Sequence, residues 1–295
     1  MLYSYVILNY DYMTSLIKSI QDIKNVIAKC AKPLGLVPTM GSLHAGHISL
    51  IKTAKSECKT TIVYIFVNPL QFGPNEDFNE YPRDLAHDLK TCEENNIDFV
   101  FAPEINEIYP DIEAAKRNLI KPPDNLVNIL CGKTRKHHFG GVATVVKRFF
   151  EIIEPNFVYF GEKDLQQLYI IKWLVKEFNL PITIKSCPIA REHTGLAYSS
   201  RNEYLSSGEK IIAASLYKAL KLAKENTRSG IFPSNKAILE SLIFLSHFPE
   251  IKVEYFEAKD KTNLADVSID IKRGFYYLIA AKIGNVRLVD NIEVG

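Results

Sequence analysis

Residues 34–67 read LGLVPTMGSLHAGHISLIKTAKSECKTTIVYIFV. The stretch opens on a short apolar strand, Leu34 to Val37, and closes on TIVYIFV, Thr61 to Val67, whose β-branched and aromatic run has the character of a fully buried strand. Between them a loop from Pro38 to Gly46 feeds a helical spacing of Ile48, Ile51, Ala54 and Cys58. Strand, helix and strand in that order form one βαβ unit with parallel strands. Outward from it the alternation continues. Upstream, Leu16, Ile20, Ile23, Ile27 and Cys30 put one apolar stripe on an amphipathic helix over 14–31. Downstream the pattern reads helix near Pro82 to Glu94, strand Ile97 to Phe101, helix near Val142 to Ile153 and strand Phe157 to Phe160. A helix from Asp164 to Phe178 and a strand from Ile182 to Ser186 follow. The fold class is therefore α/β, a Rossmann-like doubly wound parallel sheet.

Past Pro188 the order changes. Helical stretches at about Gly208 to Thr227 and Ser234 to Ser246 precede strands Ile251 to Glu257, Phe275 to Ile283 and Val286 to Val289. Strands following one another after helices predict a smaller α+β domain. The division falls near residue 189, giving a Rossmann-like domain over 1–189 and a C-terminal lid over 190–295.

Composition bounds the function. At 295 residues, 47% hydrophobic and 24% charged, the chain is globular, and its length favours two domains. A net charge of +2 leaves no global field to hold nucleic acid or an anionic membrane, so any phosphate binding is local. No apolar run reaches the roughly 18 residues of a membrane span, and mean hydropathy is -0.04, which predicts a soluble chain. The opening MLYSYVILNYDY lacks a basic segment and a small-residue cleavage site, so it does not read as a signal peptide, and Met13 is as good a start as Met1. Cys30, Cys58, Cys92, Cys131 and Cys187 are odd in number and widely spaced with no C-x-x-C pair. They suggest neither a disulfide framework nor a structural zinc, and the expected compartment is the reducing cytoplasm.

Ligands of open parallel sheets sit outside the carboxyl ends of the strands, which directs attention to the loops after Val37, Val67, Phe160 and Ser186. In the first, Gly41 and Gly46 allow close backbone approach, and a helix starting near Ala45 directs N–H groups and its positive end at a guest such as phosphate. His44 and His47, three apart, share one face; they either donate together to one anion or act as surface or capping groups. Zinc would need a third ligand that the sequence does not offer. In FGEKDLQQ, Gly161 permits the turn and Asp164 is a candidate N-cap; on residues alone a solvated turn fits equally.

The string PTMGSLHAGH carries an H-x-G-H signature after a strand and resembles the pantoate-β-alanine ligases of the nucleotidyltransferase superfamily. IFVNPLQFGPNEDFNEYPR (65–83), FGEKDLQQL (160–168) and GLAYSSRNEYLS (195–206) agree with that family in the same order. The resemblance implies condensation of (R)-pantoate with β-alanine, splitting ATP to AMP and pyrophosphate through a pantoyl-adenylate. The substrate carboxylate is then the nucleophile, in keeping with the absence of a G-x-S-x-G elbow. By resemblance, Met40, Gly41, Ser42, Leu43, His44, Ala45, Gly46 and His47 line the ATP site, with His47 as proton donor. Gly161, Glu162, Lys163 and Asp164 contact the nucleotide from the second loop, and Ala190, Tyr198, Ser199, Ser200 and Arg201 from the third. His44, Lys163 and Arg201 would neutralise phosphate oxygens, and Mg²⁺ would bridge the phosphates with Asp164. Gln71 and Gln167 would hold pantoate, Gln71 also touching β-alanine, with Asn68 a second amide. Neutral amides orient a carboxylate without the full charge that blunts its nucleophilicity.

The family resemblance also implies a homodimer, with Thr61 to Val67 and its neighbours bordering the interface. Two departures stand out. Relatives more often carry R-P-G-H-F where Lys136 and His137 here replace Pro and Gly, leaving Arg135 and His138 matched, and Tyr198 stands where they often have Leu or Met. A nucleotidyltransferase with a stable nucleotide product is the rival enzyme, but a phosphorylated substrate would want cations at 71 and 167. A non-catalytic nucleotide sensor need not preserve His44, His47, Lys163 and Arg201 together.

Overall fold

The computed structural model describes residues 14–74, 76–228, 234–267 and 274–295; the apolar opening and Met13 lie outside them. The elements run β1 (Ser15–Ile17), α1 (Ile20–Ile27), β2 (Leu34–Thr39), α2 (Ala45–Glu57), β3 (Thr60–Ile65), α3 (Leu85–Glu94) and β4 (Phe99–Phe101). Three short helices follow, α4 (Ile105–Ile108), α5 (Ile112–Arg117) and α6 (Asp124–Val127), then α7 (His138–Ile153), β5 (Phe157–Gly161), α8 (Leu165–Glu177) and β6 (Thr183–Cys187). The remainder is α9 (Ser207–Ala213), α10 (Ser215–Arg228), α11 (Ser234–Leu245), β7 (Ile251–Asp260), β8 (Phe275–Ile283) and β9 (Val286–Val294).

The first six strands form one parallel sheet in the order β1-β4-β3-β2-β5-β6. The chain winds from β2 through β3 to β4 on one side, then returns to β5 on the other side of β2. That reversal opens a crevice at the carboxyl ends of β2 and β5, where doubly wound sheets bind ligands. The opening has a local cause. The β2–β5 ladder consists of Gly35↔Phe157 and Leu36↔Val158, so Pro38, which lacks a donor, falls where the two strands have already parted. On one face α2 and α3 bury Leu50, Ile51, Ala54 and Cys92 against Val37, Val63 and Val100. On the other, α1, α7 and α8 pack Ile23, Phe149, Ile153 and Ile171 against Leu36, Ile62 and Val158.

A second sheet, antiparallel β7-β8-β9, carries α9 to α11 on one face. Its central strand has no polar face. Phe275, Tyr277, Ile279 and Ala281 point into the core beneath those helices, whereas Tyr276 and Leu278 join the core of the first sheet. Among the described residues no helix is long and apolar enough to cross a membrane.

The expected helix over 14–31 is shorter than its apolar stripe. Ser19 accepts the Asp22 N–H at 3.0 Å and starts α1 at Ile20, while Ser15–Ile17 extends alongside Phe99–Phe101 as an edge strand. The strand expected to border an interface with its neighbours, Thr61 to Val67, is an inner one, with β3 lying between β4 and β2.

Candidate active site

The loop after β2 is shaped by its own polar groups. Gly41 and Ser42 take φ of 87° and 51°, and Gly41 donates to Thr39 Oγ1 at 3.2 Å. The Asp88 carboxylate accepts the next two amides, Ser42 N–H at 3.0 Å and Leu43 N–H at 2.7 Å. His44 is the N-cap of α2: its Nδ1 accepts the Gly46 N–H at 3.1 Å, and His47 Nδ1 accepts the His44 N–H at 3.4 Å. The rings lie 4.1 Å apart between centroids. An Nδ1 that accepts cannot carry the proton, so this network assigns each imidazole its hydrogen at Nε2. Burial, then the nearby Lys163 ammonium, pushes the His44 pKa down to about 4. Burial, then His44 and Lys163, holds His47 well below its ordinary value. Both rings are neutral Nε2–H donors at pH 7. The capping and binding readings of this pair are thus one arrangement, with Nδ1 closing the helix and Nε2 left to the site. It also takes up the Gly46 N–H that the helix start was expected to offer a guest.

The loop after β5 turns through a 3₁₀ segment, Glu162–Asp164, whose carbonyls at Glu162 and Lys163 accept the Asn291 side-chain amide from β9 at 2.8 and 3.1 Å. Asp164 occupies the N-cap position of α8 but makes no capping hydrogen bond, contrary to the sequence expectation; its carboxylate lies 3.4 Å from Lys163 Nζ. Against the desolvation of its place in the cavity wall, which alone would raise it, Lys163, with Arg201 and His138 beyond, holds the carboxyl of the exposed Asp164 side chain below its usual range. Gln167 follows on α8 and lines the same cavity as the histidines. Its neighbour Gln166 turns away and holds the Leu126 and Ile129 carbonyls.

After β3, Asn68 is 1% exposed and its hydrogen-bonding capacity is used inside the protein. Its Nδ2 donates to Gln71 Oε1 at 3.2 Å and Gly141 O at 3.1 Å, while Oδ1 accepts from Leu70 N–H and the Tyr109 hydroxyl. Asn68 therefore orients Gln71 instead of offering the substrate a second free amide. Gly141 is required here, since a Cβ would stand 2.1 Å from Leu70 O. Gln71 O lies 2.9 Å from His138 Nδ1, and burial, then Arg135, pushes the His138 pKa to about 3. Despite Lys136 and His137, the basic loop is anchored, because Arg135 holds Glu76 through two hydrogen bonds of 2.7 and 2.6 Å.

Arg201 closes the site from the C-terminal side and is likewise engaged. Its Nε and Nη2 reach Asp77 at 3.0 and 2.9 Å. Ser200 Oγ donates to Ser42 O at 3.4 Å and Ser42 Oγ to Glu203 at 2.9 Å, tying the SSRN segment to the histidine loop. The Tyr198 ring stacks on His44 at 6.1 Å.

These groups face a cavity of about 240 Å³ whose wall includes Met40, His44, Gly46, His47, Asn68, Gln71, Gly161, Gln167, Ala190, Tyr198 and Ser200. Arg135, His138, Lys163, Asp164, Gln167, Ser199 and Arg201 also border a larger cleft of about 1180 Å³, completed by the β8–β9 hairpin. Gly41, Ser42, Leu43, Ala45 and Glu162, expected on the nucleotide, lie outside both walls. The first three pack against Asp88 and the core, and Glu162 presents its carbonyl to Asn291. Sequence reasoning missed Glu76, Asp77, Asp88 and Glu203. Glu76 and Asp77 lie inside the string IFVNPLQFGPNEDFNEYPR, so the signal for them was present. Among the described residues no three His, Cys, Asp or Glu side chains gather into a metal cage.

A family model described as Pantoate-beta-alanine ligase matches residues 15–293. The pantothenate synthetase of Aquifex aeolicus is 45% identical over 287 residues, covering 96% of this chain and 99% of that protein. A bifunctional pantoate ligase/cytidylate kinase of Synechococcus is 47% identical over 261 residues; the match takes in 88% of this chain but 48% of that protein, so the chain spans about half its length. Among solved structures, a pantoate-beta-alanine ligase from Francisella tularensis, described as complexed with beta-gamma ATP and beta-alanine, is 36% identical with a TM-score of 0.76. That likeness covers 95% of this chain and 97% of the other.

Proposed function

The chain belongs to the pantoate-beta-alanine ligase family, and on that premise we propose that it activates the pantoate carboxylate with ATP and passes the acyl group to the amine of β-alanine. A free carboxylate resists an amine because it is anionic and its leaving group would be oxide. Joining it to AMP removes both obstacles. Catalysis then needs alignment of carboxylate and α-phosphate and stabilisation of charge on phosphoryl oxygens. Gln71 and Gln167 orient the acid in the cavity they share with His44 and His47, whose Nε2–H groups donate to phosphoryl oxygens as charge builds. Lys163 and Arg201, on the border with the larger cleft, are placed for the pyrophosphate that leaves. The observation that carries this reading is the pair of neutral, tautomer-locked imidazoles sharing one cavity with two side-chain amides.

Mg²⁺ fits the donor set through one carboxylate, Asp164, and the phosphates of ATP, since magnesium is commonly held by one or two carboxylates plus substrate oxygens. When bound it would neutralise phosphate charge. We also place the division of the chain at 189/190, with residues 190–295 acting as a lid whose Arg201 shields the acyl-adenylate from water. A cytoplasmic homodimer is carried over from the family resemblance, and light scattering at the monomer mass of 33.5 kDa would remove the dimer.

Product analysis with labelled ATP, pantoate and β-alanine tests the reaction. The complete mixture is expected to yield pantothenate, AMP and pyrophosphate, and omission of β-alanine to leave pantoate-dependent ATP–pyrophosphate exchange intact. Formation of ADP and phosphate, or AMP release without pantoate, would overturn the proposal.

A further inference from the structure

Asp88 sits in the first turn of α3, is 1% exposed, and borders neither cavity. Buried carboxylates ordinarily face a cation, as Asp290 faces Arg191. Among the described residues Asp88 makes no ion pair, and its two oxygens accept the Ser42 and Leu43 amides. Burial keeps its carboxyl pKa above the ordinary value even against those two hydrogen bonds. The amides it holds belong to the turn that leads into His44. There Ser42 takes a left-handed φ of 51°, unusual for a residue with a Cβ, and a Cβ on Gly41 would come within 2.9 Å of Asp88 Oδ2. These two amides lie immediately before His44, the N-cap of α2, so Asp88 holds the last residues of the chain before both rings.

We propose that Asp88 is a positioning residue for acid activation, fixing the turn at residues 41–43 that sets the His44 and His47 imidazoles against the cavity. The proposal rests on the ligase reading for its kinetic consequence alone; the geometry it describes is independent of the reaction. Asp88→Asn keeps one acceptor but turns an N–H donor towards the other amide. Pantoate-dependent ATP–pyrophosphate exchange per folded enzyme is expected to lose kcat on the order of 100-fold, the scale of a misplacement near 1 Å, with KM for pantoate unmoved. In parallel, ¹⁵N NMR of the imidazoles is expected to show the Nε2–H tautomer at His44 and His47 in the wild type and mixed tautomers in the variant.

A lowered melting temperature with unchanged kcat and unchanged tautomers would show that Asp88 merely supports the fold and would overturn the proposal. Should Asp88→Asn fail to fold, hydrogen exchange of the wild-type enzyme reads the same contact. Protection of the Ser42 and Leu43 amides comparable to that within α2 supports it, and exchange at open-loop rates overturns it. A wild type without pantoate-dependent exchange would sink the ligase reading, leaving the tautomer comparison to decide Asp88.

Discussion

Replacing His44 with Asn removes a titrating ring while keeping a side-chain acceptor for the Gly46 N–H, since Asn is itself a favoured N-cap. The folded-state pKa of His44 is depressed from 6.5 to about 4, chiefly by burial and then by Lys163. Above pH 6.5 the ring is neutral in both folded and unfolded chains and contributes no pH dependence. As pH falls from 6.5 to 4, the unfolded chain takes up a proton that the folded one refuses, so stability falls; below pH 4 the loss is complete. At 1.36 kcal/mol per pKa unit this amounts to about 2 kcal/mol by pH 5 and about 3 kcal/mol by pH 4. The assay is urea unfolding followed by the fluorescence of Trp173, the sole tryptophan, which packs at the edge of the main core. Wild type and His44→Asn are compared at pH 7.5 and pH 5, where other titrating groups largely cancel. The variant is expected to be less acid-sensitive by about 2 kcal/mol. Parallel loss of stability in the two proteins would refute the claim that the fold holds this ring neutral.

Three further outcomes are expected. His47→Ala loses roughly 100-fold or more in pantoate-dependent ATP–pyrophosphate exchange with an unchanged far-UV spectrum, and a near-normal rate would remove His47 from the chemistry. Asp77→Asn frees the Arg201 guanidinium and deletes a negative charge beside the proposed phosphate site, so calorimetry is expected to show ATP binding about three- to tenfold tighter; weaker binding would mean Asp77 positions Arg201 instead of competing for it. Gly141→Ala drives a methyl group to 2.1 Å from Leu70 O and is expected to cost about 1–3 kcal/mol or more in urea unfolding while raising KM for pantoate through the displaced Gln71 segment; unchanged stability and KM would show that the segment yields freely.

Much of the fold is local information. The stretch 34–67 declared its strand, helix and strand because each is longer than the period that marks it, and Phe275–Ile283 matched its expected bounds. The mistaken reading of residues 14–31 had a non-local cause: Leu16 falls on the helical stripe, but Ser15–Ile17 is claimed by a partner more than 80 residues away. Helices α4 to α6 are too short to show a period, and the interruption of the expected 208–227 helix at Ala214 leaves no mark in a run of apolar and charged residues. At the site, the groups facing the cavity were legible because their chemistry is particular: His44, His47, Gln71, Gln167, Lys163 and Arg201 all line it. Their supports were not. An aspartate in the first turn of an exposed-looking helix reads as a favourable charge near the helix dipole, and only the tertiary structure shows that Asp88 points inward at two amides.

Helix α2 begins on the same rings that face the cavity, so with the proposed role of those rings, fraying of its first turn and disablement of the enzyme would be a single event. On heating, activity is expected to decline along the local melting of those few residues, ahead of any change in bulk ellipticity. Nucleotide, by clamping that turn, would delay the earlier loss more than the later one.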